Sequence, residues 1–261
     1  MSNAKNHITI MTGKKARWKT MDAQYTTWGD FVDDLRNPVR TGETIEQYLA
    51  MSRDEQGLVK DIGWYIAGFM EGHERKGQNL KDRCAITLDI DHAHDLGFLE
   101  AYSQFEYVCH STHKHTPESP RLRLVLLLDK PVSREEYEPL AREGSSWSDI
   151  EIFDRTTYQA SRVMHKPSTA SDGEYVFVHN EGMALDKTTI EMIGGFDYKD
   201  TSTWKMAKGA QAPRISGEEC PDPRTRKGIV GAFCEVYDVY DVIDMLGCYE
   251  EGEGGTNAPI S

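Results

Sequence analysis

Apolar positions along the chain change period several times, and each change marks an element. In WGDFVDDLR (28–36), Trp28, Phe31, Val32 and Leu35 fall at i, i+3, i+4 and i+7, the spacing of one buried helix face. ETIEQYLAM (43–51) predicts a second helix, with Thr41 or Thr44 as its cap. Ser133 opens an SREE capping pattern for a helix over 134–143, FLEAYSQ predicts part of a short helix, and LDKTTIEMIGG (185–195) a closing one. Short apolar or alternating runs predict strands: HITIM (7–11), IGWYIAGFM (62–70), CAITLDI (84–90), FEYVCHS (105–111), RLRLVLLL (121–128), DIEIFD (149–154) and YVFVHN (175–180). These elements predict an α+β fold over 1–197, a mixed β-sheet core flanked by helices.

After Tyr198 the pattern changes. Residues 198–228 are polar and rich in small residues, which predicts a linker. Helical spacing returns in IVGAFCEVYDVYDVIDML (229–246), so 229–261 is expected to be a small helical segment with a flexible tail.

A hydrophobic fraction of 38% suits a globular chain rather than a disordered one. No apolar run approaches the ~20 residues needed to span a bilayer, and MSNAKNHITI lacks a signal-peptide layout. The expectation is a cytoplasmic protein with no membrane partner. Five cysteines, odd in number and without a CxxC pair, argue against a disulfide framework or a zinc ribbon. The formal net charge of −13 opposes binding to nucleic acid, so any such binding needs a local basic groove. Local clusters exist: five cations and no acid in residues 1–21, Arg121 with Arg123, Arg155 with Arg162 and Lys166, and Arg224 with Arg226 and Lys227.

Chemistry concentrates in three segments. In ITLDIDHAH (86–94), Asp89 and Asp91 stand at i, i+2 at a strand end, so both carboxylates face one side. Paired carboxylates repel unless a proton or a cation intervenes, and hard oxygen ligands suit Mg²⁺ or Mn²⁺. In VCHSTHKHTPESPRLRLVLLL (108–128), a PES turn suits a hairpin. Ser111, His113 and His115 share one face of it, and Arg121 and Arg123 share one on the return strand, a fit to a triphosphate. Arginines in such a pattern also pair with surface acids. In IEIFDRTTYQASRVMHKPS (150–168), Asp154 ends a run and can complete a three-carboxylate cluster, with Glu151 as a competitor, while Arg162 and Lys166 return cations.

The order of these pieces, a DxD strand, then S-x-H, then a strand-end Asp, resembles the archaeo-eukaryotic primase superfamily. The resemblance tightens to the primase-polymerase region of phage and mobile-element primase-helicases, the virulence-associated protein E type. It is carried by KDIGWYIAG, CAITLDIDHA, STHKHTPESPRLRLVLLLDKPV, FDRTTYQASRVMHKPSTASDGEYVF, GMALDKTTI and DPRTRKGIVGAFCEVYDVYDVIDML. The resemblance implies a DNA-dependent primase-polymerase that makes primers from nucleoside triphosphates on a single-stranded DNA template. It implies metal at Asp89, Asp91 and Asp154, and His113 at the incoming nucleotide's phosphates, with Ser111 in the same motif. Arg121, Arg123 and Arg162 would then offset triphosphate charge. The final block resembles the segment that joins such primases to a replicative helicase. Where that family leads one to expect a glycine pair, this chain has Gly63-Trp64, and it contains no G-x-x-x-x-G-K-[ST] helicase motor motif.

Two other readings compete. A rolling-circle-type nicking initiator would use His113 and His115 with Tyr137 or Tyr158 as nucleophile. It would leave Asp89 and Asp91 without a role. A non-catalytic origin- or partner-binding module would fit the net charge, but not the presence of all three acids.

Overall fold

The structure is a computed structural model, and it describes residues 3–210 together with the backbone of 249–251 and 257–259. The chain divides into two units, 1–213 and 214–261. The first is α+β. Its elements are β1 (His7–Gly13), β2 (Asp22–Thr27), α1 (Trp28–Arg36), β3 (Val39–Arg40), α2 (Ile45–Ala50), α3 (Arg53–Lys60), β4 (Trp64–Met70) and β5 (Leu80–Ile90). There follow β6 (Tyr107–Ser111), β7 (Leu122–Ser133), α4 (Arg134–Ser146), β8 (Met164–His165), β9 (Ser168–Thr169), β10 (Phe177–Asn180) and α5 (Lys187–Gly194).

One sheet runs β10-β6-β7-β5-β4-β1-β2, with β8 also on β4. Every ladder in it is antiparallel, where a mixed sheet was expected. Parallel pairing among the described residues is limited to the two-residue β3–β9 ladder and isolated bridges. Strand alternation sorts the sheet's side chains onto two covered faces. Ile86, Leu88, Ile90, Leu122, Leu124 and Leu126 pack with Tyr137 and Leu140 of α4. Ala85, Val125, Leu127, Val108 and Tyr65 pack with Trp28, Phe31, Val32 and Leu35 of α1, the four positions that the spacing singles out.

The sheet splits where the candidate residues lie. β5 pairs with β4 only over its first residues, but with β7 on both sides of a register shift at Arg83–Ala85. The other half of β4 takes β8 instead, Trp64 opposite His165. Gly63 makes that junction: its φ is +131°, a Cβ there would meet the Gly13 carbonyl at 3.0 Å, and its own carbonyl accepts Lys166 N–H at 2.9 Å.

Several expectations need correction. DIEIFD is not a strand but holds one 3₁₀ turn, Ile150–Ile152, with a second, Arg155–Tyr158, following it, and an isolated Ile90–Phe153 bridge joins the segment to β5. Asp149 and Asp154 each accept the N–H two residues on, and these Asx-type caps turn the chain in place of a ladder. FLEAYSQ does lie in and just beyond a short helix as expected, a 3₁₀ helix over Gly97–Tyr102. The folded unit also continues into the segment expected to be linker. Trp204 is buried and donates to the Asp197 carbonyl, and the Lys208 N–H and carbonyl engage Glu151 and Arg155. Of the second unit, two short antiparallel strands are described, Tyr249–Glu251 and Asn257–Pro259. The helix expected over 229–246 lies outside the described residues. No helix among those described is long and apolar enough to cross a membrane.

Candidate functional site

A cavity of about 820 Å³ opens at the split, lined by Asp89, Asp91, Asp154, Arg121, Arg123, Arg162 and His113 among others. Of the nucleotide- and metal-site residues expected from sequence, only Ser111 is not on its wall. Ser111 is buried at the end of β6, and its hydroxyl accepts Val176 N–H at 3.0 Å.

Asp89 and Arg123 are cross-strand partners on β5 and β7, and His110 of β6 stands opposite Arg123 on its other side. Arg123 grips both Asp89 oxygens, Nε to Oδ1 at 2.6 Å and Nη2 to Oδ2 at 3.1 Å, and gives its third contact to the His165 carbonyl at 2.7 Å. Burial works against the Asp89 charge, but Arg123, with help from His110 and Arg162, outweighs it and holds the carboxyl below its usual range. One position out, Arg121 pairs with Asp91 at 3.0 Å in a more exposed setting. The two arginines therefore supply the cations that the adjacent carboxylates require. Each is paired with an acid, though with the DxD acids rather than with unrelated surface ones.

Asp154 reaches the same wall through main-chain contacts: its N–H donates to the Asp89 carbonyl at 2.8 Å, and Asp91 N–H donates to Ile152 at 3.0 Å. Its own oxygens take the Thr156 N–H at 2.9 Å and hydroxyl at 2.8 Å. Asp154 makes no ion pair among the described residues. Glu151, the competitor, pairs with Arg155 at 3.7 Å and is not on the wall.

His113 has both ring nitrogens engaged, Nδ1 with the Ser168 hydroxyl at 2.8 Å and Nε2 with Glu43 at 3.0 Å, and its ring lies 4.3 Å from that of Tyr48. His115 is off the wall, and its Nδ1 accepts Arg121 N–H at 3.2 Å. His110 donates from Nδ1 to the Ser111 carbonyl at 2.8 Å, and its Nε2 has no partner among the described residues. Burial and the Arg123 charge push its pKa down to about 4, against the Ser111 hydrogen bond and the Asp89 charge.

Lys166, which the third segment offers, and three cations that the motifs do not single out, Arg53 and Lys60 of α3 and Lys114, complete the wall. Burial, and the charges of Arg123, Arg162 and Lys114, hold Lys60 below its ordinary pKa, with Asp89 opposing. A signal for α3 was present, because Ser52 and Glu55 form the same capping box that marks α4 at Ser133 and Glu136. The wall therefore carries seven cations against three carboxylates in a protein of net charge −13. Five of the seven, Arg53, Lys60, Lys114, Arg162 and Lys166, have no ion pair among the described residues. Such a surplus in a concave site attracts a polyanion.

Among the described residues no three His, Cys, Asp or Glu side chains converge as a ready metal cage. The donor chemistry nevertheless fits a hard divalent cation. Three carboxylates line one cavity, each oxygen has lone pairs beyond its present contact, and the Arg121–Asp91 pair is exposed enough to exchange.

The nicking reading loses its nucleophile. Tyr137 and Tyr158 are fully buried and off the cavity wall, with their hydroxyls bonded to Thr87 and Ser145.

The family model described as VapE N-terminal domain matches residues 2–207. Among solved structures, the chain is similar to the AEP domain of the cyanophage S-2L primase-polymerase (PrimPol). That similarity has 16% identity and a TM-score of 0.42, and covers 71% of this chain and 89% of that one. No curated protein matches the chain.

Proposed function

The chain belongs to the VapE N-terminal domain family, and from that premise we propose that it is a primase-polymerase, a nucleotidyltransferase that makes primers from nucleoside triphosphates on single-stranded DNA. The observation that carries this reading is the cavity, with five cations that have no ion pair among the described residues beside three carboxylates in an otherwise acidic protein. Arg162, Lys60, Lys114 and Lys166, which line the cavity, would hold the triphosphate and offset charge that builds on the leaving pyrophosphate. Asp89, Asp91 and Asp154 would hold Mg²⁺ or Mn²⁺, which when bound lowers the pKa of an attacking 3′-hydroxyl and neutralises phosphate charge. Arg121 swings from Asp91 to phosphate as the ligand arrives, while Arg123, anchored at three points, keeps Asp89 in place. Base pairing selects the nucleotide, so the protein need only hold backbone and phosphates. A replicative helicase is the expected partner.

A second reading draws on the arginine-paired carboxylates: a module that binds a polyanion without catalysis. Incorporation of labelled nucleotide on a primed and an unprimed single-stranded template, with and without Mg²⁺ or Mn²⁺, separates the two. Extension only with metal supports the enzyme, and tight binding without extension supports the module.

A further inference from the structure

The Glu43, His113 and Ser168 side chains form one hydrogen-bonded chain that the readings above do not use. Glu43 precedes α2, His113 lies in the loop between β6 and β7, and Ser168 opens β9. His113 and Ser168 line the cavity, whereas Glu43 stands behind them. A carboxylate can only accept, so His113 Nε2 carries the proton toward Glu43 at 3.0 Å. In the neutral ring Nδ1 is then an acceptor, and the Ser168 hydroxyl donates to it at 2.8 Å. The hydroxyl on the cavity wall thus points its proton away from any ligand.

We propose that Glu43 is a positioning residue that makes phosphate binding take up a proton at His113, and so turns the Ser168 hydroxyl toward the ligand. This rests on the nucleotide-binding reading of the cavity. Added at Nδ1, the proton makes the ring donate to Ser168 Oγ, and the Ser168 O–H is released to donate to a phosphate oxygen. No heavy atom has to move. Glu43 balances the resulting imidazolium on the side away from the phosphate. The groups facing the ring are Glu43, the Tyr48 ring, the Ser168 hydroxyl and the Lys60 charge. Burial and Lys60 hold free His113 below its ordinary pKa, with Glu43 opposing, so the ring is neutral at pH 7 until an anion arrives. The Glu43 main-chain carbonyl is held separately, by the Ser171 N–H at 2.8 Å and hydroxyl at 2.9 Å. Glu43→Gln therefore changes the charge without releasing the loop.

Calorimetry of the full chain with inorganic tripolyphosphate, near pH 7 in two buffers of different ionisation enthalpy, reads the proton. Wild type should take up a fraction of a proton. Glu43→Gln should remove most of that uptake and weaken binding about ten-fold, the loss of one charge-assisted contact, with partial rescue by Glu43→Asp. The His113 ring resonance, which reports this site apart from Lys60, should titrate at higher pH when tripolyphosphate is saturating. Tripolyphosphate binding with an unmoved His113 titration, or with the same uptake in Glu43→Gln, overturns the inference alone. Failure of wild type to bind tripolyphosphate or nucleotide overturns the cavity reading and this inference with it.

Discussion

Arg123 holds both oxygens of Asp89 across the β5–β7 ladder, and the pair is mostly withdrawn from water, with side-chain exposures of 6% and 20%. Removing one partner of such a pair strands the other charge. Asp89→Ala should cost about 3–5 kcal/mol of stability, and Asp89→Asn clearly less because it still accepts hydrogen bonds. Repulsion within the DxD pair would by itself favour losing one carboxylate, and the Arg123 contact reverses that sign. Denaturant melts of the two variants check it; equal stability of Asp89→Ala and wild type would remove the pair from the account.

Arg121 and Asp91 make the contrasting case. Their contact is partly exposed and worth at most about 1 kcal/mol. Arg121→Ala should leave the melting temperature within a few degrees and weaken nucleotide binding about ten-fold. Calorimetric titration with nucleoside triphosphate measures the second effect, and a large fall in stability with unchanged affinity would contradict the division of labour between the two arginines.

Acid should destabilise the domain through His110. Its folded pKa of about 4 lies below the unfolded value near 6.5, so between those limits the unfolded chain binds more protons. Stability from this group is complete above pH ~6.5 and falls as pH drops toward 4, by up to about 3 kcal/mol. Asp89 adds a further loss only at lower pH, as the medium falls through its depressed pKa. Melting curves between pH 7 and 4 should be flatter for His110→Gln than for wild type; identical slopes would dismiss the buried neutral ring.

Much of this was legible in sequence where burial is one-sided. α1 shows its four core positions at helical spacing, and Ser133 with Glu136 marks the start of α4. α3 buries no residue and β2 is exposed or half-buried throughout, so hydrophobic period could not report either. β2 is held by backbone pairing with β1, and α3 starts at a capping box. For the site, adjacent residues were readable and distant ones were not. The DxD pair and R-x-R each sit at one end of a single strand, but Lys60, Glu43 and Ser168 meet His113 or the cavity only through the folded chain. Which acceptor each arginine takes depends on strand register, which the motifs do not encode.

The domain boundary gives a further outcome. Trp204 is buried and Lys208 is tied to Glu151 and Arg155, so a chain ending at 208 should melt like the full protein's first unit. A chain ending at 197, the boundary expected from composition, uncovers the surface under Trp204 and should lose about 3 kcal/mol or more. Equal unfolding curves for the two truncations would return residues 198–208 to the linker.

Asp154 offers the most direct test of the central claim, because it lines the cavity, has no ion pair among the described residues, and serves the fold only through a cap worth about 1 kcal/mol. The measurement is Mg²⁺- or Mn²⁺-dependent incorporation of labelled nucleotide on a single-stranded template by wild type and Asp154→Asn. The account predicts metal-dependent extension by wild type and loss of at least a hundred-fold in the variant, about 2.7 kcal/mol of transition-state stabilisation, with the fold and tripolyphosphate binding retained. Absence of incorporation by wild type, or full activity in Asp154→Asn, would contradict it.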